Sequence, residues 1–568
     1  MNTPADEQTS LNYGCITYEK SAAVFDYLMS YMGEDNFDKA MRFYYDKFKF
    51  THADPSDLRK TLSHFNGSEL DWFFDHLVNG TDKIDYKMKG ISRLPDGSYN
   101  LRIKNKTGVA VPFSIEAYKN GMLAGMVWST GFADKKNVGF PAVDADRFVI
   151  DGINSVPEIN RSNNYIRAHG IFKKAKMPAL NFLTGLEKPD KRQMYFLPAA
   201  GLNFYNGAMA GMILHNYGIL QKRFEYSICP LYAFKTHDLN GFAEAGYRFY
   251  PKDLFSQITI GANAKSFGYD LYQTKYMNEM LGGNYSSLNL RYYAVSPYVE
   301  LELKKKTPTS SISQYITFST HAIFREIEDL DTSAYRTYKD EGPKKAIENY
   351  YVNSLHYELR NKRVIDPYSA SLEIQQNDQM TKASGEFRYG ITFSKKHELS
   401  FRFFAGTFIN SKGPANIRYA FRMSGYNGYQ DYLFNDNFVA RNETNGLGFS
   451  QMAEYDGAMK VWTPLGQTTE WLVALNVKSP RLFILPVRLY ADIASADGRS
   501  MLNEKVLWCG GVNVTLWDDI VEVYIPAAYS QDIRSILDLN QVDMWNRIRF
   551  TLNLHKLVPR KMIRQNLL

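Results

Sequence analysis

The sequence predicts a mainly β protein with an N-terminal α-helical segment, and three observations indicate this class. Apolar residues recur at helical spacing over about the first 80 positions and then at a spacing of two over most of the rest. Aromatic residues make up 15% of the chain, including 40 Tyr and 36 Phe, although the mean hydropathy is only −0.37. Because 568 residues are too many for one core, we expect a small helical array, a β-sandwich and an antiparallel transmembrane β-barrel of about 16 strands.

The helical array is assigned to residues 1–82. Its first helix is predicted from four apolar positions at helical spacing, which are Ala23, Phe25, Leu28 and Met32. This helix should end at Gly33, because glycine readily takes the left-handed conformation found at helix ends. Three more helices are predicted at 37–48, 55–65 and 70–78, the second of them opened by a proline in its first turn.

Residues 83–164 are assigned to a β-sandwich and the linker that follows it. Short runs of alternating apolar residues are separated there by Asp-Gly, Asn-Gly and lysine-rich turns. Roughly five or six strands at such close spacing are typical of a small sandwich.

Residues 165–568 are assigned to the barrel, because one face of each predicted strand is continuously apolar while the other carries polar or charged residues. In one strand the apolar face is Phe387, Tyr389, Ile391 and Phe393, and the polar face is Arg388, Gly390, Thr392 and Ser394. The last strand places Ile548, Phe550, Leu552 and Leu554 opposite Arg547, Arg549, Thr551 and Asn553. A soluble sandwich also alternates, but repeated charges on the polar face and loops of very unequal length favour the barrel.

A barrel of this kind predicts the outer membrane of a Gram-negative bacterium, with the N-terminal domains in the periplasm. Outer-membrane lipid and the barrel assembly machinery are then the expected partners. The formal charge of +7 is small and scattered, so nucleic acid is not expected as a partner. The first residues form no secretory signal, so we expect either a fragment of a longer product or an error in the barrel interpretation.

Several residues in the first 80 positions form a familiar series. The motif Tyr18-Glu19-Lys20 precedes the helix that ends at Gly33, and it is followed by Phe50, His52, Pro55, Asp57 and Leu58 and then by Trp72-Phe73-Phe74. In this order they resemble the segment after the zinc site of gluzincin aminopeptidases, the membrane alanyl aminopeptidase and leukotriene-hydrolase family. The resemblance also implies that the following sandwich is immunoglobulin-like.

The resemblance implies catalytic roles for two tyrosines. Tyr18 matches the tyrosine that donates a hydrogen bond to the oxyanion formed when zinc-activated water attacks a peptide carbonyl. Tyr13 matches a second family tyrosine five residues earlier. Both are therefore candidate catalytic residues, and the alternative is that they only pack at the start of a helix.

The family's zinc ligands are not found in this sequence. The gluzincin site uses HExxH on one helix and a further Glu on the next, and none of the ten histidines here begins an HExxH. Those ligands lie before the Tyr-Glu-Lys motif in the family, so zinc is expected only in a complete protein. This chain alone is expected to be inactive.

The start of the barrel region, including FLPAAGLNFYNGAMAGM, resembles the opening strands of surface-antigen barrels that assemble or secrete outer-membrane proteins. Arg422 to Tyr429, RMSGYNGY, resembles their lumen loop with its arginine-glycine-aromatic tip, although Met423 and Ser424 separate the arginine from Gly425. That departure leaves an insertase function in doubt.

Two functions follow as hypotheses. The chain is either a fragment of an outer-membrane-anchored zinc aminopeptidase, which removes N-terminal residues from peptide substrates, or a barrel for transport, secretion or assembly. In the second case the peptidase-like part is degenerate and serves as a periplasmic docking domain.

Overall fold

The computed structural model describes residues 13–186, 188, 191–219, 221–251, 253–273, 287–307, 310–329, 345–394, 397–412, 414–482, 486–517 and 519–554. The chain divides into two compact units. The first ends at Ala179 and also takes in residues 187–193, and the second comprises residues 180–186 and 194–568.

The first unit begins with helices whose ends follow from their sequences. A π-helical segment, Gly14–Lys20, leads into α1 (Ser21–Met32), and α2 (Glu34–Phe48), α3 (Pro55–Asn66) and a second π-helical segment, Trp72–Val78, follow. Gly33 ends α1 with φ of 82°. At the start of α3 the Asp54 carboxylate accepts hydrogen bonds from the backbone N–H groups of Ser56 and Asp57, at 2.7 and 3.1 Å.

The buried face of α1 differs in part from the predicted one. Leu28 and Met32 are buried as expected, but Ala23 is exposed and Phe25 is only half-buried. The buried face runs instead through Val24 and the two predicted positions nearer the end of the helix.

The rest of the first unit is a sandwich of seven strands, more than the five or six expected. These are β1 (Tyr86–Arg93), β2 (Tyr99–Asn105), β3 (Phe113–Lys119), β4 (Met122–Ser129), β5 (Lys135–Phe140), β6 (Arg147–Ile150) and β7 (Tyr165–Arg167). One sheet has the order β1-β2-β5 and the other β4-β3-β6-β7. Apolar residues from both sheets and from the helices form one continuous core.

The second unit is a closed barrel whose neighbouring strands from β9 to β24 are antiparallel, which confirms the predicted fold class. Among the described residues it has 17 strands, where the sequence predicted about 16. They are β8 (Met177–Phe182), β9 (Lys191–Asn203), β10 (Gly207–His215), β11 (Phe224–Ala233), β12 (Leu239–Phe249), β13 (Phe255–Gln273), β14 (Ser287–Leu303), β15 (Ile312–Glu328), β16 (Lys345–Asn361), β17 (Tyr368–Gln376), β18 (Met380–Ser394), β19 (His397–Ser411), β20 (Trp471–Lys478), β21 (Val487–Ala496), β22 (Leu507–Leu516), β23 (Val521–Tyr529) and β24 (Arg549–Leu552).

Alternation along these strands sends polar side chains inward and apolar side chains outward. In the pair β18·β19, Phe387 lies opposite Phe403 and Arg388 lies opposite Arg402. Both phenylalanines are 44% exposed on the outside, whereas Arg402 is 6% exposed. The polar faces recognised in the sequence therefore line the lumen.

The connections between barrel strands are unequal at the two ends. At one end the strands follow each other closely, since β18 ends at Ser394 and β19 begins at His397, whereas at the other end 59 residues, the long connection 412–470, separate β19 from β20. Two short helices lie in connections at that second end, α4 (Gly446–Ser450) and α5 (Gln531–Leu539). Within the described ranges, no helix has the length and apolar character needed to cross a membrane.

Candidate functional site

The two tyrosines singled out in the sequence lie at a π-helical segment. Tyr13 directly precedes Gly14–Lys20, and Tyr18 lies within it. Residues five apart are about 140° apart around an ordinary α-helix, so their side chains would diverge. A π-helix repeats its hydrogen bonds every five residues, and this wider turn places Tyr13 and Tyr18 on the same side.

The two side chains contact each other directly. Their ring centroids are 5.9 Å apart with the planes at 85°, an edge-to-face arrangement. A hydrogen bond to Tyr18 raises the pKa of Tyr13, because it stabilises the protonated phenol of Tyr13. The two phenol groups therefore interact through their hydroxyls as well as through their rings.

The surroundings of the pair leave Tyr18 open to a ligand. Tyr18 is 63% exposed and Tyr13 is 37% exposed, so neither ring belongs to the hydrophobic core. Lys20 anchors the end of the segment by donating a hydrogen bond from Nζ to the carbonyl oxygen of Gly80, at 3.2 Å. Partial burial lowers the pKa of Lys20.

From the sequence, zinc is expected only in a complete protein, with its ligands outside this chain. In the part of the chain that the structure describes, no three His, Cys, Asp or Glu side chains form a group that could hold a metal ion. The tyrosine pair therefore has no metal-binding group beside it in this part of the chain.

A second site candidate is the long connection 412–470, here called the lumen segment. Side chains of five strands donate hydrogen bonds to its carbonyl groups: Lys265 of β13 to Phe434, Tyr350 of β16 to Tyr432, Lys382 of β18 to Tyr419, Arg402 of β19 to Asp456, and Arg549 of β24 to Ser424. These strands are distributed around the barrel and the donors are inward-facing. The lumen segment therefore lies inside the barrel.

Arg422, the arginine of the RMSGYNGY motif, is buried in the lumen segment. Its guanidinium donates to the carbonyl oxygens of Ala420 and Ile417, at 2.9 and 2.8 Å, so it stabilises the segment's own turn. Its backbone N–H donates to the Asp456 carboxylate at 2.9 Å. Charges from both sides hold the segment to the wall: Arg549 of β24 donates to Asn427, and Arg418 of the segment pairs with Glu348 of β16 at 2.7 Å.

Sequence reasoning missed these wall residues. Lys382 lies with its ammonium 4.7 Å from the ring centre of Phe421 and 5.1 Å from that of Tyr432, and it donates to Tyr419 at 3.0 Å. The unusually long gap between β19 and β20 was the available signal. A cation that points into the barrel next to this gap needs a buried hydrogen-bond acceptor, and a connection folded into the lumen supplies one.

Comparison with known proteins finds one protein family that is similar to the N-terminal part of the chain. Residues 1–77 match the model of the Peptidase family M1 domain. The N-terminal part of the chain is therefore similar to an M1 peptidase domain, as the tyrosine motif indicated. A search of curated proteins found no match.

Three solved structures are similar in parts. Aminopeptidase A of Legionella pneumophila, solved with aspartic acid, is 17% identical over 26% of this chain, with a TM-score of 0.22. This chain covers 18% of that protein, less than a fifth of its length. CdiB from Acinetobacter baumannii is 10% identical (60% of this chain, 56% of that one, TM-score 0.29), and BamA from Haemophilus ducreyi lacking POTRA domains 1–3 is also 10% identical (60% and 69%, TM-score 0.30).

Proposed function

We propose that the chain is part of an outer-membrane protein in which a barrel anchors a zinc-dependent aminopeptidase of the gluzincin type. The complete protein would remove N-terminal residues from peptides, and its N-terminal domains would lie in the periplasm. The zinc ligands would come from residues outside this chain. The M1 likeness of residues 1–77 and the inward-polar, outward-apolar barrel support the two halves of this proposal.

The observation that carries the enzymatic half is the pairing of Tyr13 with Tyr18. In the proposed reaction Tyr18 donates a hydrogen bond from its hydroxyl to the oxyanion that develops on the scissile carbonyl. Tyr13 positions that hydroxyl through the edge-to-face contact of the two rings and the hydrogen bond between the two phenols. The exposure of Tyr18 leaves its proton accessible to a substrate.

Replacing Tyr18 tests this role in the complete protein. Tyr18→Phe removes only the hydroxyl, so kcat for an aminoacyl anilide should fall about 100- to 1000-fold with little change in KM, as expected for the loss of one oxyanion donor. Tyr45→Phe is the matched control, because Tyr45 is also an exposed tyrosine of the helical part and contacts no site residue. An unchanged kcat in Tyr18→Phe would refute the proposed role.

A second function is favoured by the lumen segment. Its close packing inside the barrel supports a secretion or assembly barrel in which the peptidase-like part only docks to other proteins. This alternative predicts that the complete protein binds no zinc and hydrolyses no aminoacyl anilide. Zinc analysis of the purified complete protein therefore separates the two proposals.

A further inference from the structure

A row of arginines crosses the inner wall of the barrel. Arg360 of β16 lies opposite Ser369 of β17, which lies opposite Arg388 of β18, which in turn lies opposite Arg402 of β19. Neighbouring strands are about 4.8 Å apart, so three guanidinium groups enter the lumen within about 15 Å of one another. This strand register brings like charges together, so opposite charges are needed nearby to offset their repulsion.

Part of the compensation comes from carboxylates one row further along the strands. Glu358 pairs with Arg360, and Glu386 pairs with both Arg388 and Arg402. These two carboxylates do not line the cavity that the arginines face. Arg360 and Arg388 are thus held from behind by carboxylates and are half-exposed toward the lumen. Arg402 is instead buried, and its remaining N–H groups donate to the Asp456 carbonyl oxygen and to Asn476.

The cavity in front of the row has a volume of about 440 Å³, which lies in the range typical of small-molecule sites. Seven cationic side chains line it, namely Arg360, Lys362, Arg388, Arg402, Lys460, Lys478 and Arg488. Four carboxylates line it as well, namely Glu398, Glu454, Asp519 and Glu522. With Glu358 and Glu386 behind the row, seven cations face six carboxylates, and this small positive excess favours an anion in the cavity.

Arg488 is the cation of the cavity wall that best supports an anion site. Lys478, its neighbour on the adjoining strand β20, is paired with Glu454 and Glu522 at 3.1 Å. In contrast, Arg488 has no carboxylate within ion-pair distance among the described residues, and its buried Nε has no hydrogen-bond partner there. The charge of Arg488 interacts with the cavity-lining Glu398 without forming an ion pair, so this charge can also attract an anion in the cavity.

We propose that this cavity binds a small multivalent anion whose carboxylate or phosphate groups bridge Arg488 and the arginine row. The cavity lies toward the end of the barrel with the short turns, as its lining by Pro367, Glu398 and Asp519 indicates. Short turns face the periplasm in outer-membrane barrels, so the ligand enters from that side. The site is independent of the tyrosine pair and of peptide hydrolysis.

Calorimetry of the full chain in a zwitterionic detergent and a phosphate-free buffer tests the proposal. Sodium pyrophosphate and the peptide triglutamate are titrated separately, and at least one should bind with a Kd below about 1 mM. Binding should weaken as NaCl is raised, because partly exposed ion pairs are screened. Stronger binding of triglutamate identifies a carboxylate ligand, and stronger binding of pyrophosphate identifies a phosphate ligand.

Variants at Arg488 decide whether the cavity is the site. Arg488→Gln should weaken binding about ten-fold, whereas Arg488→Lys, which retains the charge, should weaken it less. Because Arg488 has no ion pair to lose, both variants should keep the heat-modifiable gel mobility of a folded barrel. Arg499→Gln is the matched control, since Arg499 is exposed at the other end of strand β21.

Two results would overturn the proposal. One is a Kd above about 1 mM for both anions. The other is equal affinity in the wild-type chain and Arg488→Gln, which would place any binding elsewhere on the protein.

Discussion

The sandwich and the barrel use the same alternation of apolar and polar residues in opposite senses. In the sandwich, Phe113 and Phe148 point into a dry core shared by two sheets. In the barrel, Phe387 points outward and Arg402 points into the lumen. Alternation by itself shows only that one face of a strand is apolar and the other is polar. Whether the apolar face points inward or outward depends on what surrounds the sheet.

The first prediction measures what an apolar residue contributes in each region. Phe148→Ala leaves a cavity in the sandwich core, and it should lower the stability of the first unit by about 3–5 kcal/mol. Phe387→Ala should cost the barrel only about 1.5–3 kcal/mol, because lipid or detergent fills the space and only the transfer term is lost. Pulse proteolysis in urea reports the first unit, and heat-modifiable gel mobility reports the barrel. Equal losses would show that Phe387 also packs against protein.

The second prediction compares two positions of nearly equal exposure. Ile493 on the outside of β21 is 44% exposed, and Met126 in the sandwich is 45% exposed. Ile493→Arg should destabilise the barrel by about 2–4 kcal/mol in lipid vesicles, because the charge would enter hydrocarbon. Met126→Arg should change stability by less than about 0.5 kcal/mol, because that side chain faces water. If both variants were equally harmless, the outer face of the barrel would not lie in a membrane.

Features that depend on a short local pattern, with a single physical explanation, could be predicted from the sequence. The helix end at Gly33, the opening of α3 at Pro55 and the hairpin of β18 and β19 all follow from local rules. The fold class is confirmed for the same reason, since charges repeated on one face of many strands require a polar interior. The division at residues 82 and 164 stays a prediction.

Other features depend on contacts between distant residues, and no local pattern reveals them. The π-helical turn that brings Tyr13 beside Tyr18 lies before the first helix that the sequence predicted. Arg549 was assigned to the polar face of the last strand, but its partner Ser424 lies in a segment far away in the sequence, and the same holds for Lys382, which was not singled out in the sequence. The catalytic roles of the two tyrosines likewise stay predictions, because they depend on a substrate and on zinc ligands outside the described residues.

The third prediction compares two buried carboxylates, one in each region. In the barrel, Glu225 is paired with the buried Arg248 at 2.8 Å. In the sandwich, the Glu158 carboxylate accepts hydrogen bonds from the Tyr86 backbone N–H, at 2.7 Å, and from Asn164. Burial raises the pKa of Glu158 to about 8, since these neutral donors do not offset the loss of solvent.

A carboxyl whose pKa is higher in the folded than in the unfolded chain binds its proton more tightly when folded. Its contribution to stability is therefore complete below about pH 4.5 and is lost as the pH rises through about 8. The first unit should lose on the order of 1–3 kcal/mol between pH 5 and pH 9, with a smaller loss in Glu158→Gln, which cannot ionise. Glu69→Gln, at an exposed position of the helical part, should retain the wild-type profile. Burial also raises the pKa of Glu116 and Asp151, so a residual slope in Glu158→Gln is expected, whereas an unchanged slope would contradict the assignment to Glu158.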